Sequence, residues 1–137
     1  LEFPENLSKV HFIKMTLTED GKVVSDNFYH RSLEENNYQD LCQLAKVALQ
    51  SATTVDKNAD GTWSAVSVIE NKTSTPALMI RLNVVDGKDD QQILPVFYSD
   101  NYFSLLPGEK KEVRMSWRDE DTRGNEGKVL ITGYNVE

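Results

Sequence analysis

The sequence predicts an all-β protein, an antiparallel β-sandwich of about seven to eight strands with at most one short helical turn. Segments of alternating apolar and polar residues recur along the chain, and this period of two is typical of strands with one buried face. Turn residues separate these segments roughly every ten residues, a spacing typical of a sandwich. A parallel α/β fold would need crossover helices of about a dozen residues, and only residues 33–49 offer such a window.

The first two strands are predicted to form a hairpin. Ile13, Met15 and Leu17 alternate with polar residues, which predicts that these three side chains share a buried face. The Asp-Gly pair at residues 20–21 suits a tight turn, and residues 22–30 then return as the second strand. A hairpin alone is marginally stable in water, so we expect this inward set to be covered, either by packing on the sandwich or by pairing with another copy through the exposed edge.

Residues 33–49 fit two patterns. One face of a helix would hold Tyr38, Leu41, Cys42, Ala45 and Leu49. Val47 and Leu49 also alternate with Lys46, Ala48 and Gln50, as in a strand. We interpret this segment as a short helical turn over residues 38–44, followed by a strand that ends near residue 55.

The remaining strands are predicted at residues 62–70, 77–86, 93–103, 112–118 and 128–136. A Pro-Gly turn at residues 106–109 separates two of them, since proline fixes φ and glycine accepts a positive φ. In the fourth of these strands the alternation places Met115 and Trp117 inward and Arg114 outward. Large rings are routine components of sandwich cores.

Composition excludes several classes of partner. The chain has 137 residues, enough for one core, and its formal charge is −7, with 15 Lys and Arg against 22 Asp and Glu. Nucleic acids and anionic membrane surfaces attract clustered basic residues, so neither is expected. No apolar run approaches the roughly 20 residues that span a bilayer, and no signal peptide is seen. The chain starts at Leu1 rather than Met, which indicates a processed product or an excised fragment, and Cys42 is its only cysteine.

A partial calcium motif occurs at residues 56–61, with Asp, Asn and Asp at alternate positions followed by Gly. A calcium loop needs a bidentate Glu at its twelfth position, and here that position is Ser67, inside a predicted strand. Asn, Asp and Gly also favour tight turns. We therefore interpret the segment as a polar hairpin tip and expect no metal ligand.

Catalytic motifs are not found. Acidic residues are adjacent at residues 34–35, 89–90 and 119–121, as in solvated turns, whereas glycoside hydrolysis needs two separated carboxyl groups. His11 and His30 each lie in a predicted strand, with no serine, cysteine or zinc signature beside them. We expect no catalytic, cofactor-binding or metal-binding residues, and no cofactor.

Aromatic residues leave open a carbohydrate-binding role. Rings that could stack on sugars occur at Trp63, Phe97, Tyr98, Tyr102, Phe103, Trp117 and Tyr134. Trp117 shares a strand face with apolar residues, which favours the core for that ring. Two N-glycosylation sequons, at Asn6 and Asn71, are short enough to occur by chance.

A pentapeptide occurs in two similar forms, SDNFY at residues 25–29 and SDNYF at residues 99–103. The flanking sequences differ, and no longer self-similarity runs through the chain, so this is not an internal repeat. A short amide beside two rings suits a strand that leaves its ladder, because the amide can bond local backbone while the rings anchor the core.

Five short motifs in the second half carry a family resemblance. They are Pro76-Ala77, Leu94-Pro95, Ser99-Asp100-Asn101, Leu106-Pro107-Gly108-Glu109 and Gly133-Tyr134-Asn135. Together they resemble the C-terminal immunoglobulin-like domain of exo-β-D-glucosaminidases, in the glycoside hydrolase family that includes β-mannosidases and β-galactosidases. Residues 14–32 resemble the closing hairpin of the preceding immunoglobulin-like domain. His30 stands where related enzymes often carry Trp, and the linker at residues 31–44 is shorter, which leaves β-mannosidase-type specificity open.

The resemblance implies an accessory domain. The family's chemistry uses two glutamates on a (β/α)₈ barrel of about 250 residues, which this chain is too short to contain. The resemblance therefore implies a non-catalytic immunoglobulin-like domain at residues 37–137, preceded by a hairpin and linker at residues 1–36. It would pack on other domains of a secreted or periplasmic glycosidase and contribute to the rim of the substrate cleft. The alternatives are a carbohydrate-binding module and an immunoglobulin-like protein-interaction domain.

Overall fold

The computed structural model describes residues 3–137, and the chain divides into two compact units, Leu1–Leu44 and Ala45–Glu137. In the first unit, strand β1 (Val10–Glu19) pairs antiparallel with β2 (Lys22–Ser32), and a 3₁₀ turn follows at Gln39–Gln43. None of the helical segments that the structure describes is long and apolar enough to cross a membrane.

The turn between β1 and β2 has the conformation that its sequence predicts. Asp20 and Gly21 both have positive φ, 49° and 75°, as a type I′ turn requires, and this turn matches the twist of the two strands. The short helical turn predicted at residues 38–44 is also confirmed.

The inward face of the hairpin is not buried within this chain, so the predicted packing of this face on the sandwich is wrong. Met15 is 47% exposed and Leu17 is 63% exposed, while Ile13 is half-buried. The alternation of residues along β1 is present, with Ile13 opposite Tyr29 on the same face. A two-stranded ribbon has no second layer within its own unit, so alternation alone could not bury this face.

The second unit is a sandwich of two antiparallel sheets. Its strands are β3 (Gln50–Lys57), β4 (Thr62–Glu70), β5 (Ala77–Asp86), β6 (Phe97–Tyr98), β7 (Phe103–Leu105), β8 (Lys110–Arg118) and β9 (Gly127–Thr132). One sheet has the order β3-β4-β8-β6 and the other the order β7-β5-β9. A second 3₁₀ turn, Asp119–Thr122, follows β8. The all-β sandwich predicted from the sequence is confirmed.

The core lies between the two sheets. Its fully buried members include Val47, Ile69, Ile80, Leu82, Val84, Val113 and Trp117. β8 shows why these residues are inside: Val113, Met115 and Trp117 are buried, and the residues between them are exposed. The inward register predicted for this strand is confirmed.

Residues 93–103 do not form the single strand predicted from their apolar composition. β6 pairs with β8 in one sheet, and β7 pairs with β5 in the other. Residues 99–102 between them therefore cross from one sheet to the other. The apolar and aromatic composition of this segment predicts a strand. It does not predict which sheet each half joins, because that depends on the other strands of the sandwich.

The ends of two other predicted strands are also corrected. β3 begins only at Gln50, and Val47 before it makes an isolated parallel bridge to Val136. β9 ends at Thr132 rather than at residue 136. The buried amide of Asn135 explains part of this irregular closure, since its Oδ1 accepts the Leu78 N–H at 2.9 Å.

Candidate functional site

The loop with the partial calcium motif is a hairpin tip between β3 and β4. The Asp60 carboxylate accepts hydrogen bonds from the Thr62 backbone N–H (3.1 Å) and hydroxyl (2.6 Å). These bonds hold the pKa of Asp60 below its usual value. The twelfth position of the motif, Ser67, is fully buried in β4. Within residues 3–137, no three His, Cys, Asp or Glu side chains lie together as a metal site requires.

The two histidines lie on strands, as predicted, and do not meet. In the register of the hairpin, His11 is opposite Arg31 and His30 is opposite Phe12. These are adjacent ladder positions, so the two rings lie on opposite faces of the ribbon. His11 is buried, with Nδ1 at 3.2 Å from the Ser8 carbonyl oxygen.

The acidic run at residues 119–121 has a structural use. The Asp119 carboxylate accepts a hydrogen bond from Lys57 Nζ at 2.8 Å and another from Trp63 Nε1 at 2.7 Å. Both lower the pKa of Asp119, with Lys57 the larger cause. The contacts join the second 3₁₀ turn to β3 and β4. The hydrogen bonds that the Asp119 carboxylate accepts are thus structural, since they hold the 3₁₀ turn against the ends of two strands.

The aromatic residues divide into core and surface groups. Trp117 and Phe103 are buried in the core, and Trp63 and Tyr98 pack against it. Three rings of the sandwich remain substantially exposed: Phe97 (70%), Tyr102 (61%) and Tyr134 (46%). The seven rings therefore do not form one sugar-binding platform.

Side chains from the crossing segment satisfy the backbone of β5 where β7 no longer pairs with it. Asn101 Oδ1 accepts the Leu82 N–H and Asn101 Nδ2 donates to the Leu82 carbonyl, both at 2.9 Å. Tyr98 supplies its hydroxyl oxygen to the Val84 N–H at 3.2 Å. The Asn101 amide thus makes the two hydrogen bonds to Leu82 that the backbone of a neighbouring strand would otherwise make.

The sequence predicted that an amide in each pentapeptide bonds backbone while its two rings anchor the core. Asn101 does bond backbone, that of Tyr102 and of the distant Leu82, but of its rings only Phe103 is buried, since Tyr102 is 61% exposed. In the other pentapeptide the prediction is wrong, because Asn27 is exposed within the paired strand β2.

The same use of polar side chains explains other motifs that carry the resemblance. Glu109, in the Pro-Gly turn, accepts the Leu106 N–H at 2.8 Å. Asn135 Nδ2 donates to the carbonyls of Ala45 (3.0 Å) and Pro76 (2.9 Å). These residues satisfy the backbone at strand ends, so the motifs specify a fold and not a reaction.

The two sequons have different environments. Asn71 is fully buried, and its Nδ2 donates to the carbonyls of Thr75 (2.8 Å) and Leu105 (3.0 Å). A glycan on this nitrogen is incompatible with the folded state. Asn6 lies in an exposed turn.

The outer face of the three-stranded sheet carries the exposed Tyr102. The Arg81 guanidinium carbon lies 5.9 Å from the centre of the Tyr102 ring, within cation–π range. Asn83 lies two residues further along β5, on the same face as Arg81. Its Oδ1 is buried and has no hydrogen-bond partner in the part of the chain that the structure describes. Arg81 and Tyr102 thus form a cation–π pair on the surface of the sandwich.

Between the free edges of β3 and β9 lies a cavity of about 370 Å³. Its lining residues are Thr53, Val55, Gly87, Glu126, Gly127, Lys128 and Val129. None of the residues considered as catalytic or sugar-binding from the sequence lines it. Gly127 has no room for a side chain, because a Cβ there would lie 2.9 Å from Trp117 Cζ2.

Fold and contacts together define the second unit as an immunoglobulin-like β-sandwich domain, and the motifs that carry the resemblance have structural roles in it. Comparison with known proteins gives its family. The exo-β-D-glucosaminidase Ig-fold domain family matches residues 27–136, and the chain belongs to this family. The family predicted from the motifs is therefore confirmed.

Relatives with this domain are much longer proteins. The exo-β-D-glucosaminidase of Arthroderma benhamiae is 31% identical over 93% of this chain and 16% of its own length. The mannosylglycoprotein endo-β-mannosidase of Lilium longiflorum is 47% identical over 34% of this chain and 5% of its own length. In the crystal structure of the Amycolatopsis orientalis exo-chitosanase CsxA, the match covers 96% of this chain and 18% of the other, with 28% identity and a TM-score of 0.88.

The chain thus spans less than a fifth of the length of these relatives. It corresponds to the Ig-fold domain of these relatives and not to a catalytic domain. The fold and the accessory nature predicted from the sequence are confirmed.

Proposed function

We propose that this domain packs against other domains of a larger, secreted or periplasmic glycoside hydrolase, of exo-β-D-glucosaminidase or β-mannosidase type, and helps to form the rim of its substrate cleft. The relatives' names support the two enzyme types, since both exo-β-D-glucosaminidases and an endo-β-mannosidase share this domain's sequence. The hydrogen-bonded motifs described above have no catalytic geometry, which fits a role in assembly.

The exposed face of the hairpin carries this proposal. Ile13, Met15, Leu17 and Tyr29 share one face of the β1–β2 ribbon, and Met15, Leu17 and Tyr29 are each at least 47% exposed. An apolar face on a two-stranded ribbon is unstable in water unless another layer covers it. The occupant that we propose is the rest of a preceding immunoglobulin-like domain of the same glycosidase.

The extent of the family match supports this assignment of the hairpin. The match begins at residue 27, inside β2, so that β1 lies outside the family domain. Yet the relatives align over 93–96% of the chain, which includes most of the hairpin. We therefore assign residues 1–36 to the tail of a preceding immunoglobulin-like domain and residues 37–137 to the domain itself.

The packing role is tested in the complete protein that contains this domain. The double variant Met15→Lys, Leu17→Lys places two charges on the apolar face, and Thr16→Lys, Thr18→Lys places the same charges on the opposite face. We expect the first variant to lower the melting temperature by several degrees and to expose the hairpin to limited proteolysis, because buried charges are costly. Equal effects from the two variants would refute packing through this face.

A second measurement tests the accessory role. Purified 137-residue chain should show no turnover of aryl β-glucosaminides or aryl β-mannosides, whereas the complete protein should hydrolyse one of them. Turnover by the chain that survives repeated purification would contradict the assignment.

A further inference from the structure

The inner face of β3 is exposed, although the same face of the neighbouring strand β4 is buried. In the β3–β4 register, Ser51 lies opposite Ile69 and Thr53 lies opposite Ser67. Ile69 and Ser67 are fully buried, whereas Ser51 and Thr53 are exposed. Side chains that are directly opposite in a ladder lie on the same face of a sheet. The facing three-stranded sheet therefore covers β4 and stops short of β3.

β9 is the edge of that three-stranded sheet, and within residues 3–137 it pairs only with β5. The Gly87 N–H donates to the Glu126 carbonyl at 2.9 Å, in the register that continues along β9. Hydrogen-bonded and non-hydrogen-bonded pairs alternate in an antiparallel ladder. The N–H and C=O groups of Gly127, Val129 and Ile131 therefore point away from β5, towards the free edge.

The residues that follow β9 run away from this edge. The Tyr134 N–H donates to the Leu78 carbonyl at 2.9 Å, and the Asn135 carbonyl accepts the Val47 N–H at 2.8 Å. The end of the chain thus continues along β5 and crosses to Val47, instead of turning back beside β9 as a hairpin would. A strand that completes the sheet has to come from elsewhere.

The edge of β9 lacks most of the features that protect strand edges from pairing. Such edges are usually blocked by prolines, bulges or charged side chains. β9 contains no proline and its register with β5 has no bulge. Its one charged side chain, Lys128, forms an ion pair with Asp90 at 2.5 Å. The cavity of about 370 Å³ beside this edge is bordered by the partly buried side chains of Val55 and Val129.

We propose that an extended segment from another part of the same glycoside hydrolase adds to the free edge of β9 as the fourth strand of this sheet. Its backbone bonds to Val129 and Ile131, and its inward side chains fill the cavity and cover Thr53. These inward side chains are apolar, since they meet Val55 and Val129. Strand addition at an exposed edge is a common mode of peptide recognition, in which backbone bonds supply affinity and alternate side chains supply specificity.

Geometry and chain length favour this occupant over a second copy of the chain. Antiparallel pairing of β9 with β9 of a second copy would bring the two β3 strands into the same space, because β3 extends past β9 in each copy. More than four-fifths of each long relative lies outside the matched region. A segment of the same polypeptide is present at high effective concentration, so weak pairing is sufficient. The inference rests on the proposal that the domain belongs to a larger glycoside hydrolase.

Backbone amide exchange in the complete protein that contains this domain tests the proposal, with the isolated 137-residue chain as the reference. In the isolated chain the amides of Val129 and Ile131 should exchange quickly, whereas those of Lys128 and Leu130, which face β5, should exchange slowly. In the complete protein the Val129 and Ile131 amides should exchange at least about tenfold more slowly. Mass spectrometry of overlapping peptides resolves these positions.

Two variants of one residue supply the matched control. Val129→Pro removes the N–H at the centre of the edge, where an outward-facing proline is tolerated, and Val129→Ala shortens the same side chain but keeps the N–H. In the complete protein, Val129→Pro should return the Ile131 amide to its rate in the isolated chain, and Val129→Ala should leave it slow. The comparison of the unmodified proteins needs no variant, so it decides the question even if a variant fails to fold.

Equal exchange rates of Val129 and Ile131 in the two unmodified proteins overturn the proposal. A loss of protection in Val129→Ala as large as that in Val129→Pro also overturns it. Protection that rises with the concentration of the isolated chain would identify a second copy as the occupant instead. None of these results bears on the packing of the hairpin, because the variants of Met15 and Leu17 test that role at a different surface.

Discussion

The indole rings of Trp63 and Trp117 lie nearly parallel, with their planes 4° apart and their centres 6.4 Å apart. They are directly opposite each other in the β4–β8 register. Trp117 is 2% exposed at the centre of the core, while Trp63 uses its Nε1 to donate to Asp119. The pair thus connects the core to the loops at one end of the sandwich.

We expect Trp117→Ala to lower the free energy of unfolding by about 3–5 kcal/mol, as for other buried large rings. Arg114→Ala, on the outer face of the same strand, should change it by less than about 0.5 kcal/mol. Chemical denaturation of both variants, followed by circular dichroism, measures the difference. Similar losses in the two variants would contradict the inward register of β8.

Asn101→Ala should lower the free energy of unfolding by about 2–4 kcal/mol. It removes three side-chain hydrogen bonds, two to Leu82 and one to the Tyr102 N–H, and leaves the Leu82 N–H and carbonyl without these partners. Asn27 occupies the equivalent position of the similar pentapeptide and is exposed in β2, so Asn27→Ala is the matched control. Its effect should stay within about 0.5 kcal/mol. Tryptophan fluorescence during urea unfolding reports on the sandwich alone, since both tryptophans belong to it. If Asn27→Ala lowers the free energy of unfolding as much as Asn101→Ala, the hydrogen bonds of Asn101 to Leu82 have no special role in stability.

Stability should fall in acid partly through Asp119. Its pKa is lower in the folded state than its ordinary value, owing first to Lys57 and then to Trp63. A carboxyl group with a lowered pKa stabilises the folded state above its unfolded-state pKa near 4, and this stabilisation disappears as the pH falls through the folded-state pKa. Asp119→Asn should therefore flatten the loss of stability below about pH 5. Urea midpoints measured across this range test the prediction, and an unchanged pH dependence in Asp119→Asn would exclude this carboxyl as a contributor.

Folding should not depend on calcium. The Asp60 carboxylate is already bonded to Thr62, and the position that a bidentate Glu would occupy is the buried Ser67. The melting temperature should be the same in EDTA and in millimolar calcium. A rise of several degrees on adding calcium, reversed by EDTA, would show that the loop binds the ion.

Removal of residues 1–36 should leave a folded domain that unfolds cooperatively, with a slightly lower melting temperature. Both sheets of the sandwich and its buried core belong to the unit Ala45–Glu137. Calorimetry and circular dichroism of residues 37–137 measure the outcome. An unfolded or non-cooperative product would mean that the hairpin is integral to the fold and that the proposed boundary is misplaced.

Local patterns in the sequence were sufficient to predict the strands that have one buried and one exposed face. The alternation in β4 and β8 reflects one more buried and one more exposed face, so it predicted the bounds of β4, the end of β8 and the burial of Trp117. The start of β8 lies two residues before the predicted one, at Lys110. The Asp-Gly pair predicted the tight turn because few residues tolerate two successive positive φ values. The motifs around Asn101 and Asn135 predicted the family, since their amides are required by this arrangement of strands.

Tertiary structure alone decided which neighbours each segment meets. The pattern of Met15 and Leu17 indicates an apolar face, but burial needs a second layer that the hairpin does not supply by itself. Residues 93–103 are apolar enough for one strand, yet their two halves join different sheets. The approach of Arg81 to the Tyr102 ring could not be predicted either, because the two residues come together only when the crossing segment is held against β5. The periodicity of apolar residues is a property of one segment. Which strands pair, which apolar face is buried and which side chains touch depend on residues far apart in the chain.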